Sequence, residues 1–461
     1  MVSLPSYLNR ARVPAVFGLL LALFLPLVVR NVSSEPFVYD EADYMYAASQ
    51  GFFANWSDTP SIPMADFARI GFVRDGRPSM SQGIRNSNDV LFYRHFHGPL
   101  FHYLLIPVAR RGLRERLVRT ALLAIPAASL AVIYFGCWWI VPGWNAAFLA
   151  AMLFLSSYSV IGSTELAPHQ LFTLCSLACL ILLLKAVATS HTRYWYGALV
   201  AAGLAFCTLE IGLALLLTLL ICCCVERARW RVDRKFAAKS LGLFLGTVLV
   251  AWPAAILRLS FIKSYAVLAF LAASRGAAWG TAGFAETWRT RFFGSPLEWL
   301  LIAAGLVMWA GAKGRNLYPV ALFAVITLAA TLRVLTVTPR YSLGFVPALD
   351  LLAGLALVPV LGPFRRPAGY AVAALAVGLY GDAWYRAVHR PHNPNPRSAA
   401  VLSYVHQNKL ENKAILAPQA DVPALHYYFP NMRLRGYFGP APSATERAAF
   451  SDPAIIPAAE P

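Results

Sequence analysis

Charged residues are scarce in this sequence: they make up 13% of its 461 residues, whereas hydrophobic residues make up 58%. A soluble domain contains about 25% charged residues, so this composition excludes an ordinary water-soluble globular protein. The mean hydropathy of +0.55 indicates the same. The chain is therefore predicted to be a polytopic membrane protein of the α class, with lipid as the solvent for most of its surface.

Cysteine pairs, phosphate loops and repeats are missing as well. All seven cysteines fall inside apolar segments, so neither a disulfide framework nor a CxxC metal site is expected. The sequence contains no glycine-rich nucleotide fingerprint and no internal repeat. Its formal net charge is +18, but the basic residues form short clusters between apolar runs. That arrangement is typical of positive-inside anchoring and argues against a nucleic-acid partner.

Apolar segments of membrane-spanning length recur along the first 381 residues and predict a helical bundle of ten or eleven crossings, about 10–12 with uncertain ends. The segment 99–109 is shorter and is expected to dip only into the interface. The predicted spans are 13–29, 120–140, 146–158, 171–188, 196–207, 211–225, 241–257, 297–310, 318–335, 343–361 and 371–380.

Basic clusters give the expected orientation. The cluster 226–235 is the strongest cytoplasmic marker, and 313–315 and 365–366 follow it at intervals of two crossings. This parity places the loop 31–97 and the tail on the outer face of the plasma (inner) membrane. The arginines between 110 and 119 also look cytoplasmic, so the number of crossings between His97 and Thr164 stays open.

Three regions follow from this pattern. Residues 1–381 are predicted to form the membrane domain, and its loop 31–97 is expected to carry helices that lie on the bilayer surface. Residues 382–440 are predicted to form a small α/β appendage, with a helix at 400–408, a strand at 414–417 and an amphipathic segment at 422–429. Residues 441–461 are rich in alanine and proline and are predicted to be disordered.

The outer loop is acidic in a basic protein. It opens with Tyr39-Asp40-Glu41-Ala42-Asp43-Tyr44 directly after the first span. Carboxylates beside a membrane span need water or a function. Asp40 suits a general base that deprotonates an acceptor hydroxyl. It equally suits the N-cap of a helix that runs through Ala48, with Glu41 and Asp43 in the first turn, and the two roles are compatible.

Four motifs together resemble a known family. The Tyr39–Tyr44 motif after a first span resembles the GT-C superfamily of lipid-linked-sugar glycosyltransferases, in particular the protein O-mannosyltransferase and aminoarabinose-transferase branch. His97-Gly98-Pro99-Leu100 is similar to that family's His-Pro-Pro-Leu segment, with Gly98 as a departure. The stretch from Gly203 to Glu210 is similar to its Gly-Leu-Ala-x-x-Thr-Lys element, with a glutamate where lysine is usual. Pro339-Arg340-Tyr341 matches an Arg-Tyr element. The resemblance covers about residues 13–381 in layout.

The resemblance implies a membrane enzyme that moves a hexose or pentose from a polyprenyl-phosphate donor to a glycolipid, polysaccharide or protein acceptor. Asp40 would be the catalytic base, or would help to position the acceptor, and Glu41 would support Asp40 or the geometry of the site. His97 would contact the sugar or the phosphate, or would simply be an interfacial histidine. Arg340 would pair with the lipid phosphate, or would snorkel to the interface. Tyr341 would stack beside it, or belong to the aromatic belt.

Further residues and alternatives remain open. Arg258 and Lys263, with Arg275, form a basic set that could grip the carrier phosphate or anchor the interface. Glu165 and His169 flank Pro168 between two spans and suit either a functional site or a solvated turn. A divalent cation such as Mg²⁺ or Mn²⁺ is compatible with the acidic motif but is not required, and no metal ligands are assigned. The alternative function is a lipid or solute transporter or flippase, which should show two inverted halves; none is visible.

Overall fold

A computed structural model describes residues 6–52, 97–141, 144–253, 295–311, 315–331, 339–361, 365–389, 396–418, 421–437, 441–442, 447 and 453–456. The apolar segments are helical, as expected where backbone groups must be satisfied without water. The bundle helices are α1 (Ser6–Arg30), α2 (Tyr39–Ser49), α3 (Leu100–Ala109), α4 (Glu115–Leu122), α5 (Ala124–Ile140), α6 (Trp144–Ser156), α7 (Tyr158–Gly162), α8 (His169–Thr189), α9 (Thr192–Phe206), α10 (Leu213–Val225), α11 (Arg227–Trp230), α12 (Arg234–Ala251), α13 (Pro296–Gly311), α14 (Tyr318–Thr331), α15 (Val346–Leu361) and α16 (Arg365–His389). Single 3₁₀ turns lie at Glu210–Gly212, Arg315–Leu317 and Pro339–Gly344.

Within the described residues, four helical stretches are long and apolar enough to cross a membrane, namely Val13–Arg30, Glu115–Ile140, Asn145–Gly162 and His169–Thr189. Shorter apolar helices accompany them, among them Glu210–Val225, Pro296–Gly311, Tyr318–Thr331 and Val346–Leu357. Each apolar segment predicted from the sequence overlaps one of the observed helices. The predicted polytopic helical bundle is therefore confirmed.

Small residues allow the central helices to approach closely. A Cβ added to Gly305 of α13 would lie 2.6 Å from Ala353 Cα of α15, and one added to Gly354 would lie 2.7 Å from Ala150 Cα of α6. Close backbone approach at small residues is the usual way in which membrane helices pack. Helix α15 is thereby held between α6 and α13, which fixes the turn Pro339–Gly344 that precedes it.

The bundle has two distinct ends. We use "loop end" for the end that carries α2, the turns Glu210–Gly212 and Pro339–Gly344, and the connection 163–168. The basic cluster 226–235 lies at the opposite "basic end", since the sixteen helical residues Glu210–Val225 separate them by about 24 Å. Between His97 and Thr164 the chain makes two passes, through α4–α5 and α6. The ten-residue α3 packs on α2.

In the described part of the outer loop, helix α2 begins earlier than predicted. Val38, and not Asp40, occupies the N-cap position of α2, with extended backbone and no side-chain cap. Asp40 and Glu41 lie in the first turn, where they still complement the helix dipole. Asp40 does not cap because its carboxylate is drawn to a distant arginine, described below. Gly51, just beyond the helix end, has φ of +94°. The surface helices predicted for residues 53–96 lie outside the described residues.

The C-terminal appendage contains the predicted α/β elements. They are α17 (Pro396–Gln407), β1 (Ala414–Pro418), α18 (Val422–Tyr428), β2 (Arg433–Tyr437) and β3 (Ala454–Ile455). The strands form a parallel sheet in the order β2-β1-β3, with Ile415 opposite Leu434 and Ala454. Buried Val405, Leu425 and Ile456 pack against this sheet.

Two predicted boundaries are wrong. The last bundle helix, α16, does not end at residue 381 but continues to His389, because its buried stripe extends through Ala383 and Ala387. An Asp382–Arg386 ion pair of 2.8 Å stabilises this extension. The tail 441–461, expected to be disordered, supplies β3, since Ile456 N donates to Leu416 O at 2.8 Å and the Ile456 side chain is buried.

Candidate active site

An ion pair across the loop end joins two predicted site residues. Helix α2 carries Asp40 and the turn Pro339–Gly344 carries Arg340, and Arg340 Nη2 lies 2.6 Å from Asp40 Oδ2. The Arg340 side chain is 13% exposed and that of Asp40 is 51% exposed. Arg340 Nη1 also lies 3.6 Å from Glu165 Oε2. The arginine thus forms the floor of a site whose open side is Asp40.

Arg340 stays charged in this setting. Burial lowers the pKa of the guanidinium, but the adjacent carboxylates of Asp40 and Glu165 outweigh it and the net pKa is raised. The guanidinium carbon lies 5.3 Å from the centre of the Tyr341 ring. Burial raises the pKa of Tyr341, with Arg340 opposing in part, so its phenol remains protonated. The site therefore offers a fixed cation and a neutral hydroxyl side by side.

His97 is held by Glu210, the residue that stands where the resemblance leads one to expect lysine. Its Nδ1 lies 2.8 Å from Glu210 Oε2. Burial lowers the pKa of His97. The charge and hydrogen bond of Glu210 and the charge of Asp40 raise it by more, so the net pKa is above the ordinary value. The pair can therefore present an imidazolium near the Asp40–Arg340 ion pair.

Gly98 explains the close approach of this histidine. A Cβ at position 98 would overlap the carbonyl of Cys207, and Leu100 N donates to that same carbonyl oxygen at 3.1 Å. The returning loop therefore lies directly on the C-terminus of α9. The residue in which this sequence departs from the family motif is required by this contact.

Tyr44 forms an aromatic wall behind the site. It lies one helical turn after Asp40, on the same face of α2, and is buried. Its ring packs edge-on against Phe101 and His102, and its centroid lies 6.0 Å from that of His97. Burial and the charge of Asp40 raise the pKa of Tyr44, so it acts as a neutral group.

Glu41, predicted to support Asp40 or the geometry of the site, is paired with Arg119. It is buried, and its two oxygens accept from Arg119 Nε at 3.0 Å and from Arg119 Nη2. Leu166 N donates to the same carboxylate at 2.7 Å. Moving α2 away from Arg119 would leave a buried charge unpaired, at a cost of about 3–5 kcal/mol. This pair therefore anchors α2 to the bundle. Glu41 therefore positions Asp40, and its carboxylate is not available to a substrate.

Arg119 is the positioning residue that sequence reasoning missed. Besides Glu41, it donates to Ser33 O at 3.1 Å and Glu35 O at 2.7 Å, and it lies over the ring of Phe37. It belongs to the arginine-rich stretch that was interpreted as a topology signal. The available clue was its place next to Val118 on the buried face of the amphipathic α4.

Of the other predicted residues, some lie at the site and the rest lie outside the described residues. Glu165 is brought to Arg340, and His169 packs edge-on against Tyr341 with ring centroids 5.2 Å apart. Arg258 and Lys263 lie outside the described residues, as does Arg275. The carboxylates of Asp40 and Glu41, expected as oxygen donors for a cation, are each engaged by an arginine. This donor set does not suit a divalent cation, whose involvement stays a prediction.

Comparison with known proteins gives a match in structure alone. No protein-family model and no curated protein sequence matches the chain. The chain is similar to ArnT from Cupriavidus metallidurans in the apo state, with 15% identity, a TM-score of 0.55, and coverage of 92% of this chain and 86% of that one. ArnT bound to undecaprenyl phosphate gives 17% identity, coverage of 90% and 85%, and a TM-score of 0.55.

A second group of similar structures comes from archaea. The oligosaccharyltransferase AglB from Archaeoglobus fulgidus, in complex with an inhibitory peptide and a dolichol-phosphate, gives 14% identity and a TM-score of 0.55. The match covers 94% of this chain and 65% of that one. At these identities the likeness concerns the fold. The chain has the GT-C fold that its sequence motifs predicted.

Proposed function

We propose that this chain is an integral-membrane glycosyltransferase that moves a sugar from a polyprenyl phosphate to an acceptor at the outer face of the plasma membrane. The observation that carries the proposal is the contact between Asp40 and Arg340. It places a half-exposed carboxylate against a buried guanidinium at the membrane-surface end of a GT-C bundle. This pairing suits a proton acceptor for the sugar acceptor and a cation for the carrier phosphate.

An apolar cavity between helices of the bundle supports a lipid-linked donor. It has a volume of about 740 Å³ and lies between α10, α13, α14 and α15. Phe345, one residue beyond the turn that carries Arg340, lies in its wall, and the wall follows α13 from Trp299 to Trp309, a length of about 15 Å. An isoprenoid chain would gain burial there while its phosphate reaches the loop end. Two of the similar structures contain undecaprenyl phosphate and dolichol-phosphate.

The proposed reaction is a single displacement. The acceptor oxygen attacks the anomeric carbon of the sugar, and the bond between that carbon and the phosphate oxygen breaks. The acceptor proton passes to the Asp40 carboxylate, and the polyprenyl phosphate leaves with one additional negative charge. Arg340 and the imidazolium of His97 stabilise this charge as it develops, and Tyr341 offers its hydroxyl as a further donor.

Donor binding and base activation are linked in this arrangement. The carrier phosphate competes with Asp40 for the Arg340 guanidinium, because both are anions that bind its N–H groups. A bound donor therefore releases Asp40 to accept a proton. Arg258 and Lys263 keep their predicted role as additional phosphate contacts. Whether the acceptor is a glycolipid, a polysaccharide or a protein is left to experiment.

Replacing Asp40 with asparagine tests the proposal. General-base catalysis contributes about 10²- to 10⁴-fold, so Asp40→Asn should lower the transfer rate at least 100-fold while undecaprenyl phosphate still binds. The assay is transfer of sugar from undecaprenyl-phosphate donors to envelope acceptors, followed by mass spectrometry. Asp43→Asn, the same change on the same helix, is the control and should stay within a few-fold of wild type.

Two results would contradict the proposal. Transfer by Asp40→Asn at a near-normal rate would remove Asp40 as the base. A purified wild-type chain that moves lipid or solute across a vesicle membrane, but forms no glycosylated product, would favour the transporter alternative.

A further inference from the structure

Several buried polar atoms beside Arg340 have no hydrogen-bond partner among the described residues. They are Ser163 Oγ, His169 Nδ1, Gln170 Oε1 and Arg340 Nε. Ser163, His169 and Gln170 are only 3%, 6% and 7% exposed. A buried donor or acceptor left unsatisfied costs about 1–3 kcal/mol, and native proteins satisfy most such groups. A bound ligand or an ordered water at this place would supply the missing partners.

These atoms belong to one location in the fold. Gln170 Nε2 donates to Ser163 O at 3.0 Å, which closes the connection 163–168 onto the first turn of α8. Thr173 Oγ1 donates to Leu343 O at 3.0 Å and fixes α8 against the turn Pro339–Gly344. His169 meets the Tyr341 ring edge-on. We call this meeting of Ser163, His169, Gln170 and Arg340 the polar junction.

The chemistry of the polar junction fits hydroxyl groups. Its open atoms include a hydroxyl, an imidazole nitrogen and an amide oxygen, which accept hydrogen bonds, and the Nε–H of Arg340, which donates one. Sugar hydroxyls both donate and accept, so one ring can satisfy several of these atoms. An anion fits poorly, because the amide oxygen offers it no proton and the Glu165 carboxylate lies next to Arg340. A ring lying at the polar junction would also contact the aromatic face of Tyr341.

We propose that the polar junction is the subsite for the sugar ring of the donor, and that His169 and Gln170 select a neutral, hydroxyl-bearing sugar. The inference rests on the proposed function and deepens it. The phosphate of the same donor lies against the Nη side of Arg340, where Asp40 is bound in the structure. Arg340 therefore contacts both parts of the donor, the phosphate through its Nη groups and the sugar through Nε–H.

The test compares two carriers on the full-length protein in detergent. Affinities are measured for undecaprenyl phosphate alone and for undecaprenyl phosphate carrying glucose, mannose or arabinose. The discriminating variants are His169→Phe, which keeps an aromatic ring against Tyr341, and Gln170→Met. Ser176→Ala is the matched control, since Ser176 Oγ is another buried atom without a partner among the described residues but lies two turns farther along α8.

For wild type we expect at least one glycosylated carrier to bind more tightly than the bare carrier. Each discriminating variant should reduce that preference about 3- to 10-fold, the value of one neutral hydrogen bond, and leave the affinity for the bare carrier unchanged. Ser176→Ala should preserve the preference. A preference that survives both discriminating variants would show that water alone satisfies the polar junction, and would overturn the inference.

Equal weakening of both carriers would also overturn the inference, since it would indicate a general packing role. Failure of the proposed function gives a different result, in which wild type binds none of these carriers or transfers no sugar. Thermal unfolding of each variant identifies a loss of fold. If Gln170→Met unfolds because the Gln170–Ser163 contact is lost, His169→Phe alone decides the test.

Discussion

His97 decides how many cations the site holds. The site contains three carboxylates and one permanent cation: Asp40 and Glu165 contact Arg340, and Glu210 contacts His97. A donor phosphate adds further negative charge to this set. A protonated His97 supplies the second positive charge, and Glu210 favours that form by ion pairing. The glutamate that replaces the usual lysine is thus compatible with phosphate binding through the histidine beside it.

Donor affinity should therefore depend on pH through His97. Its pKa in the folded protein is raised above the ordinary value of about 6.5, so both the stabilising pair and the imidazolium are fully present below that value. They are lost as pH rises through the raised pKa. We expect undecaprenyl phosphate to bind more weakly above this transition, in a titration of affinity at constant ionic strength.

Two variants check the assignment. His97→Asn should remove the transition, and Glu210→Gln should move it to lower pH because the partner charge is gone. His191→Asn, at an exposed histidine near the basic end, should leave the profile unchanged. A transition that persists in His97→Asn would assign it to another group.

At the residue scale, the sequence motifs named candidate site residues but not the partners of their side chains. The motifs identified Asp40 and Arg340 as site residues, but their contact spans 300 positions and no local pattern encodes it. Arg340 was expected to meet a phosphate and is found on Asp40. Glu41 was predicted from the resemblance to support Asp40 or the site geometry, and it has a partner of its own because neighbouring helical residues face different directions. Its partner, Arg119, lay in a run that resembled a topology signal.

At the scale of elements, helix α2 is held from outside the membrane by the appendage. Helix α18 packs on α2. The hydroxyl of Tyr428 accepts from Phe37 N at 2.8 Å and donates to Glu115 Oε1 at 2.7 Å. Phe37 lies three residues before Asp40, so this single hydroxyl ties the appendage, the start of α2 and the start of α4 together. Tyr428 is thus a positioning residue for Asp40.

Tyr428→Phe should loosen α2 without removing an aromatic contact. The change leaves the amide of Phe37 and the carboxylate of Glu115 without their partner, at a cost of about 1–3 kcal/mol. We expect faster hydrogen exchange in residues 37–48 and a lower kcat, with KM for the donor little changed. Tyr427→Phe is the control, since the Tyr427 ring contacts Phe37 edge-on and that contact survives. Equal exchange in the two variants would show that the appendage does not position α2.

Element-scale prediction worked where one segment determines its own structure. Apolar length predicted the bundle helices. Helical spacing predicted α17, a short strand was predicted at β1, and an amphipathic segment was predicted at α18; of these, only α17 begins more than one residue from its predicted start. The prediction failed where a partner distant in sequence determines the secondary structure of a segment. Residues 454–455 read as part of a disordered tail, and they become a strand because β1, some forty residues earlier, offers an edge. Such pairing depends on tertiary contact and is absent from local composition.

At the scale of the whole molecule, charge and site lie at opposite ends of the bundle. The basic cluster 226–235 lies at the basic end, where Tyr318 OH donates to Glu226 Oε1 at 3.3 Å. The appendage and Asp40 lie at the loop end. Arg119 is also at the loop end, where it pairs with buried Glu41. Arg110, Arg111, Arg114 and Arg116 lie in the same region and depart from the positive-inside pattern. We therefore predict that the appendage faces outward and the basic end faces the cytoplasm.

Cysteine labelling tests this orientation in two reporter proteins. With the seven native cysteines replaced, Tyr404→Cys on the exposed face of α17 and Lys235→Cys at the basic end each provide one accessible thiol. In sealed right-side-out vesicles, a membrane-impermeant maleimide should label Tyr404→Cys and spare Lys235→Cys. Detergent permeabilisation should expose both equally, which controls for intrinsic reactivity. The reverse pattern would place the Asp40–Arg340 site in the cytoplasm, where the proposed outer-face transfer could not occur.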